Sequence, residues 1–315
     1  MRLPRLKPLD ADTFHHCYNR VAGEPAYFPF GHVEKEQFTR ILHRMSELYV
    51  VRVIAYQVMS NHVHVLVWTP ADLPTEAETC ARYTAYYDGK RHLVPGTATC
   101  ERWRRKLRDI SAFMGDVEQR FTVWFNRTRP VRRRGALWAG RFRNTVLECG
   151  LAAWDCWKYI ELNPVRAGMV QDPADYRFCS FGAWAQAGRH PFADNVTAVL
   201  PTFRGLLGVE SPEDIRAELR KEFARLIAVE AGQAPDEVED AIVQAGRPIP
   251  FRTTARRRMR YWVDGLVIGS EWFVQHVMTR ARGSAHMTKR RLTRAGLRSD
   301  GLRLCAYRQL RELAT

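Results

Sequence analysis

Residues 58–69 run VMSNHVHVLVWT, and the two histidines set one residue apart in this apolar stretch are the first group able to do chemistry. Extended backbone sends alternate side chains to opposite faces, so His62, His64, Leu66 and Trp68 share one face and Val63, Val65 and Val67 the other. The valines are the natural core face. Two imidazoles roughly 7 Å apart along one face suit a single divalent ion. The spacing alone equally allows a pair of half-exposed polar residues on a sheet. The second group lies in LAAWDCWKYIELN, residues 151–163, where Tyr159 and Asn163 stand four apart and one above the other on a helix. Ala153, Trp157 and Ile160 form an apolar stripe on another side of that helix. A tyrosine oxygen can displace one side of a phosphodiester and keep the bond energy as a phosphotyrosyl ester for rejoining. With an ordinary pKa of about 10 the phenol needs a metal or base nearby, and the paired histidines can hold that metal. A helix-surface tyrosine with its hydroxyl in water is the alternative that spacing leaves open.

The surrounding pattern must position these groups. TFHHCYNRV (13–21) predicts a first strand and EKEQFTRILHRMSELY (34–49) an amphipathic helix with Phe38, Ile41, Leu42, Met45 and Leu48 on one side. Two strands follow, broken near Ser60 and Asn61. Residues 70–100, rich in Pro, Gly and Thr, predict a long loop or insertion, and 101–127 one long basic amphipathic helix. A basic loop at 129–144 leads to a strand at 145–149 and the helix at 151–163, which ends at Asn163 because a residue before proline avoids the α region. This order predicts an α+β fold, an antiparallel sheet with helices on one face and the other face open. His15 and His16 are neighbours on a strand and point apart, so neither is assigned a metal role.

The 315 residues are 46% hydrophobic and 26% charged, enough for a buried core. No run approaches twenty apolar residues and the start MRLPRLKPLDADTF lacks a signal-peptide centre, so no membrane partner is expected and the cytoplasm is the expected compartment. Seven cysteines without a C-x-x-C pair support neither a disulfide framework nor a cysteine zinc site. The net charge of +15 is unevenly spread: residues 195–250 carry 6 Lys/Arg against 10 Asp/Glu, and 251–315 carry 15 against 4. Basic regions on both sides of an acidic one, with Arg interleaved among aromatics, point to a polyanion such as nucleic acid.

YQVMSNHVHVLV (56–67), LWAGRFRNTVLE (137–148) and KYIELNPVRAGMV (158–170) together resemble the signature regions of the REP-associated tyrosine transposases, relatives of the single-tyrosine HUH transposases of insertion sequences. HHCYNRV resembles that family's first strand, and the likeness spans residues 10–190. The resemblance implies a ferredoxin-like HUH core. It implies that His62 and His64 bind a divalent ion, Mg²⁺ or Mn²⁺, with Asn163 assisting, and that Tyr159 is the nucleophile. Single-stranded DNA beside a palindromic, REP-like hairpin is the implied substrate, cleaved to leave a 5′-phosphotyrosine.

Arg141 and Arg143 then stand as candidates for phosphate contacts, Trp138 and Phe142 for stacking on unpaired bases, and Asn19 and Arg20 for touching bases or backbone. Trp138 and Phe142 can equally seal a loop against the core. The expected organisation is a nuclease domain over 1–194, an acidic helical connection over 195–250 and a basic helical region over 251–315 that contacts DNA. Within the connection, SPEDIRAELRKEFARLIAVEAG predicts a helix capped by Ser211 with an acidic residue three positions on. The 70–100 stretch and the 120 or so residues beyond 195 depart from the smallest relatives. A transposase-derived binding regulator without cleavage, and a hydrolytic metal-dependent nuclease, are the competing functions. Monomer and homodimer both remain open.

Overall fold

The chain is described from a computed structural model covering residues 5–8, 11–24, 26–230, 262, 265–282, 292–299 and 302–308. In β3 (His62–Thr69) the β-branched Val63, Val65 and Val67 share one face and are fully buried. Each such valine contributes roughly 1.5–3 kcal/mol. It pairs antiparallel with β1 (Thr13–Arg20) and with β2 (Arg52–Val58), and β1 pairs antiparallel with β4 (Arg143–Leu147). The spatial order β2-β3-β1-β4 is that of a split βαββαβ, the ferredoxin-like arrangement. α1 (His32–Leu48) links β1 to β2, and α4 (Ile110–Arg127) precedes β4. Phe38 of α1 meets Phe121 of α4 edge-on at 5.3 Å, and Asn19 Nδ2 of β1 donates to Glu118 Oε1 of α4 at 2.8 Å. Both core helices therefore cover the valine face.

The histidine face is not open. α5 (Leu151–Glu161) lies across it, with Phe14 of β1 against Phe203 of α9 (Pro201–Leu207) at 5.7 Å and Tyr159 of α5 against His16 and His64. The expectation of an uncovered second face fails because α5 is apolar nearly all round: Trp154, Trp157 and Ile160 are fully buried, and such a helix must be covered on both sides.

Three further departures have local causes. The predicted loop 70–100 contains α2 (Glu76–Tyr86), capped by Thr75 Oγ1 accepting from the Glu78 amide at 3.1 Å. The single helix expected over 101–127 is two, α3 (Ala98–Arg108) and α4, because Asp109 is extended and its carboxylate caps the amides of Ser111 and Ala112. The tail read as helical contains strands as well as a helix. β5 (Gly265–Gly269) runs parallel to β4, α11 (Glu271–Arg282) follows, and β6 (Leu292–Ser299) and β7 (Leu302–Arg308) complete a seven-stranded mixed sheet among the described residues. Glu148, just past β4, holds this junction: its carboxylate accepts from the amide of Ser270 at 2.5 Å and from its hydroxyl at 2.9 Å.

The helical continuation is present as α7 (Ser180–Ala187), α8 (Ala193–Val199), α9 and α10 (Pro212–Glu230). Ser211 and Asp214 cap α10 reciprocally, as the spacing predicts, with Asp214 N to Ser211 Oγ at 3.2 Å and Ser211 N to Asp214 Oδ2 at 2.9 Å. The predicted acidic connection beyond 230 lies outside the described residues, as does nearly half of the basic tail.

Candidate active site

Cross-strand register assembles the site. Tyr18 stands opposite His64 and Arg20 opposite His62 on the β1/β3 ladder, while Tyr18 is also opposite Arg143 on the β1/β4 ladder. Directly opposed residues share a face, so Tyr18, Arg20, His62, His64 and Arg143 stand together. The His62 and His64 rings are 5.2 Å apart and Tyr18 packs on His64 at 4.9 Å. Across this face the Tyr159 ring meets the His64 ring edge-on at 5.7 Å. α6 (Asn163–Arg166) continues almost directly from α5, keeping Asn163 about one turn beyond Tyr159. Its Arg166 turns back, placing its guanidinium 4.3 Å from the centre of the Tyr159 ring and donating to the Tyr159 carbonyl.

The electrostatics favour neutral groups. Burial pushes His62 down to about 4, with the Arg20 cation adding to the effect, and holds His64 well below the ordinary histidine range, helped by His16, His62 and Arg166. Burial raises Tyr159 to about 12, opposed by Arg166. The phenol is thus protonated at rest. His62 Nδ1 is hydrogen-bonded to Asn61 Oδ1 at 2.8 Å and His64 Nδ1 to His16 Nε2 at 2.8 Å, which leaves the Nε2 atoms as the ones able to meet an ion. The amide of Asn163 is buried with its Nδ2 unpartnered, and since the two ends of an amide exchange by a flip, an oxygen can be presented there instead. Two imidazoles and an amide therefore fit a cation, and a neutral set of this kind leaves the ion's charge available to phosphate. Among the described residues no three His, Cys, Asp or Glu side chains converge as a ready cation site.

The structure brings Arg20 and Arg143 to the histidine face, and Arg141 is exposed in the loop before β4. Other sequence candidates lie elsewhere. Asn19 points to the opposite face, where its amide serves Glu118 Oε1 and the Gly140 carbonyl at 3.1 Å. Trp138 is 9% exposed and packs on Phe30, Phe38 and Phe121, and Phe142 is 4% exposed beneath the Arg5 guanidinium. These two rings are core and are not presented to a base: the 137–139 segment pairs with the end of β1 and draws Trp138 inward, and Arg5 covers the Phe142 ring and donates to its carbonyl.

Two participants escaped the sequence reading. His16 is fully engaged beside His64, and Trp262 stacks on Tyr159 at 5.7 Å and 29°. The HHCYNR stretch was visible, but only the pairing of β1 with β3 shows that His16 reaches His64; Trp262 lies about 100 residues from Tyr159 with no local signal.

No protein-family model matches this chain, and no curated protein matches it. A solved structure of a REP-associated tyrosine transposase bound to a REP hairpin is similar, with a TM-score of 0.39 and 14% identity, covering 61% of this chain and 89% of that one. A likeness this slight carries no argument about function, which must rest on the geometry. Among the described residues no helix is long and apolar enough to cross a membrane.

Proposed function

We propose that the chain is a metal-dependent single-strand DNA endonuclease and strand transferase of the REP-associated tyrosine transposase type, acting beside palindromic hairpins. The observation that carries this reading is Tyr159 lying against His64, on the face that also bears His62. Tyr159 Oη attacks the phosphorus, the bond to the 3′ oxygen breaks, and the DNA 5′ phosphate remains on the tyrosine. The phenol gives up its proton and the departing 3′ oxygen takes one up, so no nucleotide cofactor is consumed. A Mg²⁺ or Mn²⁺ ion held by His62, His64 and Asn163 would supply charge stabilisation at the phosphate. Arg166 holds the Tyr159 ring and favours its anion, while Arg20, Arg143 and Arg141 offer guanidinium groups to the DNA backbone. In domain terms, residues 1–194 form the nuclease, with 195–250 as a connection and 251–315 as a basic region that adds DNA contacts.

A second reading has one observation in its favour. Trp262 covers the Tyr159 ring, as expected of a hairpin-binding regulator that no longer cleaves. Labelled single-stranded DNA bearing palindromic repeats separates the readings on a denaturing gel. A Mn²⁺-dependent covalent band lost in Tyr159→Phe supports strand transfer. Binding without a nick supports the regulator, and nicking retained in Tyr159→Phe supports hydrolysis by water.

A further inference from the structure

We infer that His16 is a positioning residue for His64: through its hydrogen bonds it locks His64 with the proton on Nδ1 and an open lone pair on Nε2. The use of that lone pair rests on the metal-site reading above, but the tautomer follows from the hydrogen bonds alone. His16 Nδ1 lies 2.9 Å from the backbone oxygen of Trp262. A carbonyl oxygen cannot donate, so His16 Nδ1 must carry the proton of this bond. A neutral imidazole has only one N–H, which makes His16 Nε2 an acceptor. The group facing it at 2.8 Å is His64 Nδ1, which must therefore donate. His64, neutral in turn, has no proton left for Nε2.

The alternative, a proton on both nitrogens of His16, would place an imidazolium where the ring is 1% exposed. Among the described residues no carboxylate is found acting on either ring, and the one cation beside His64 is Arg166. An isolated charge there is costly, so the neutral chain of donors wins. The arrangement is also held rigidly. The Trp262 oxygen accepts a second hydrogen bond from Thr145 Oγ1 of β4 at 2.9 Å, and the two imidazole planes are within 4° of parallel.

The start of this relay, Trp262, belongs to the part of the chain beyond 251. That region therefore orients a nuclease-site histidine, in addition to any contact with DNA. Because the last acceptor is a carbonyl and not a carboxylate, the relay orients the ligand without adding negative charge beside the phosphate.

Long-range ¹H–¹⁵N NMR of histidine-labelled, full-length, metal-free protein reads the tautomer directly. The expected spectrum shows His64 protonated at Nδ1 and unprotonated at Nε2. In His16→Leu that signature is lost, and Mn²⁺ affinity measured by electron paramagnetic resonance falls roughly 10–100-fold. His16→Gln, whose amide can donate to the carbonyl and accept from His64, restores both to near the wild-type level. Finding His64 protonated at Nε2 in the wild type overturns the inference without any variant having to fold. So does a folded His16→Leu with unchanged tautomer and Mn²⁺ affinity. A protein with His64 protonated at Nδ1 that forms no DNA adduct supports this inference and overturns the proposed function instead.

Discussion

Acidification from pH 7 to pH 5 is expected to destabilise the protein, and His190 isolates the effect away from the candidate site. The ring is 3% exposed, packs edge-on against Trp184 at 4.9 Å, and accepts the Phe192 amide on Nδ1 at 3.0 Å, while its Nε2 is buried without a partner. Burial lowers its pKa from 6.5 to about 3. The unfolded chain therefore takes up the proton first, so the stabilisation is complete above the ordinary pKa and is lost as the pH falls toward 3. Linkage gives a loss of about 2 kcal/mol from this one ring between pH 7 and pH 5, and about 5 kcal/mol in full below pH 3. His15 and His16, each lowered to about 4 by burial, act with the same sign. Urea unfolding followed by tryptophan fluorescence at both pH values, in wild type and His190→Asn, measures the share of His190. Asparagine can still accept the Phe192 amide but cannot titrate in this range. The variant should lose about 2 kcal/mol less than the wild type on acidification, whatever constant packing cost it carries. An identical loss in both proteins would refute the reasoning.

Other perturbations reach the site and its supports. Trp262→Ala removes the ring stacked on Tyr159, so the Tyr159 pKa should fall from about 12 toward 10 in a spectrophotometric titration referenced to Tyr159→Phe; no change would show that Trp262 is not what buries it. Asn163→Ala should weaken Mn²⁺ binding at least tenfold, or about 1.4 kcal/mol, in isothermal titration calorimetry, and an unchanged affinity would remove Asn163 from the ligand set. Trp138→Ala should cost about 3–5 kcal/mol of stability as a core truncation, with little change in hairpin affinity at a temperature where it stays folded. A selective loss of DNA binding would return Trp138 to the interface.

The parts of this molecule legible in its sequence are those with a strong short-range period. The two-residue alternation of β3 placed His62 and His64 on one face and the valines on the other, and the four-residue step from Tyr159 to Asn163 survives across the α5/α6 junction. The order of elements led to an antiparallel sheet with helices packed on it, because clear helical periods stand between β1 and β2 and between β3 and β4, while the ferredoxin-like core was implied by the family resemblance. Where competing local signals existed, the reading failed. Pro70, Pro74, Pro95 and Gly96 masked the Thr75-capped α2, and the charge-rich pattern across Asp109 hid a capping break. The arginines around 251–260 drew attention from GLVIG, whose β-branched Val267 and Ile268 make β5. His16 and Trp262 depend on tertiary contacts across 48 and 246 positions, distances at which no periodicity operates.

The most direct test of the central claim is to find where the DNA is attached. Trypsin cutting after Lys158 and Arg166 releases the segment 159–166, YIELNPVR, whose only tyrosine is Tyr159. After incubation with Mn²⁺ and a hairpin-bearing single strand, then nuclease trimming, mass spectrometry should find this peptide carrying a 5′-phosphonucleotide on Tyr159. The modification should be absent with EDTA and in His64→Ala. Strand cleavage with an unmodified 159–166 peptide, or an adduct mapped to another residue, would contradict the account.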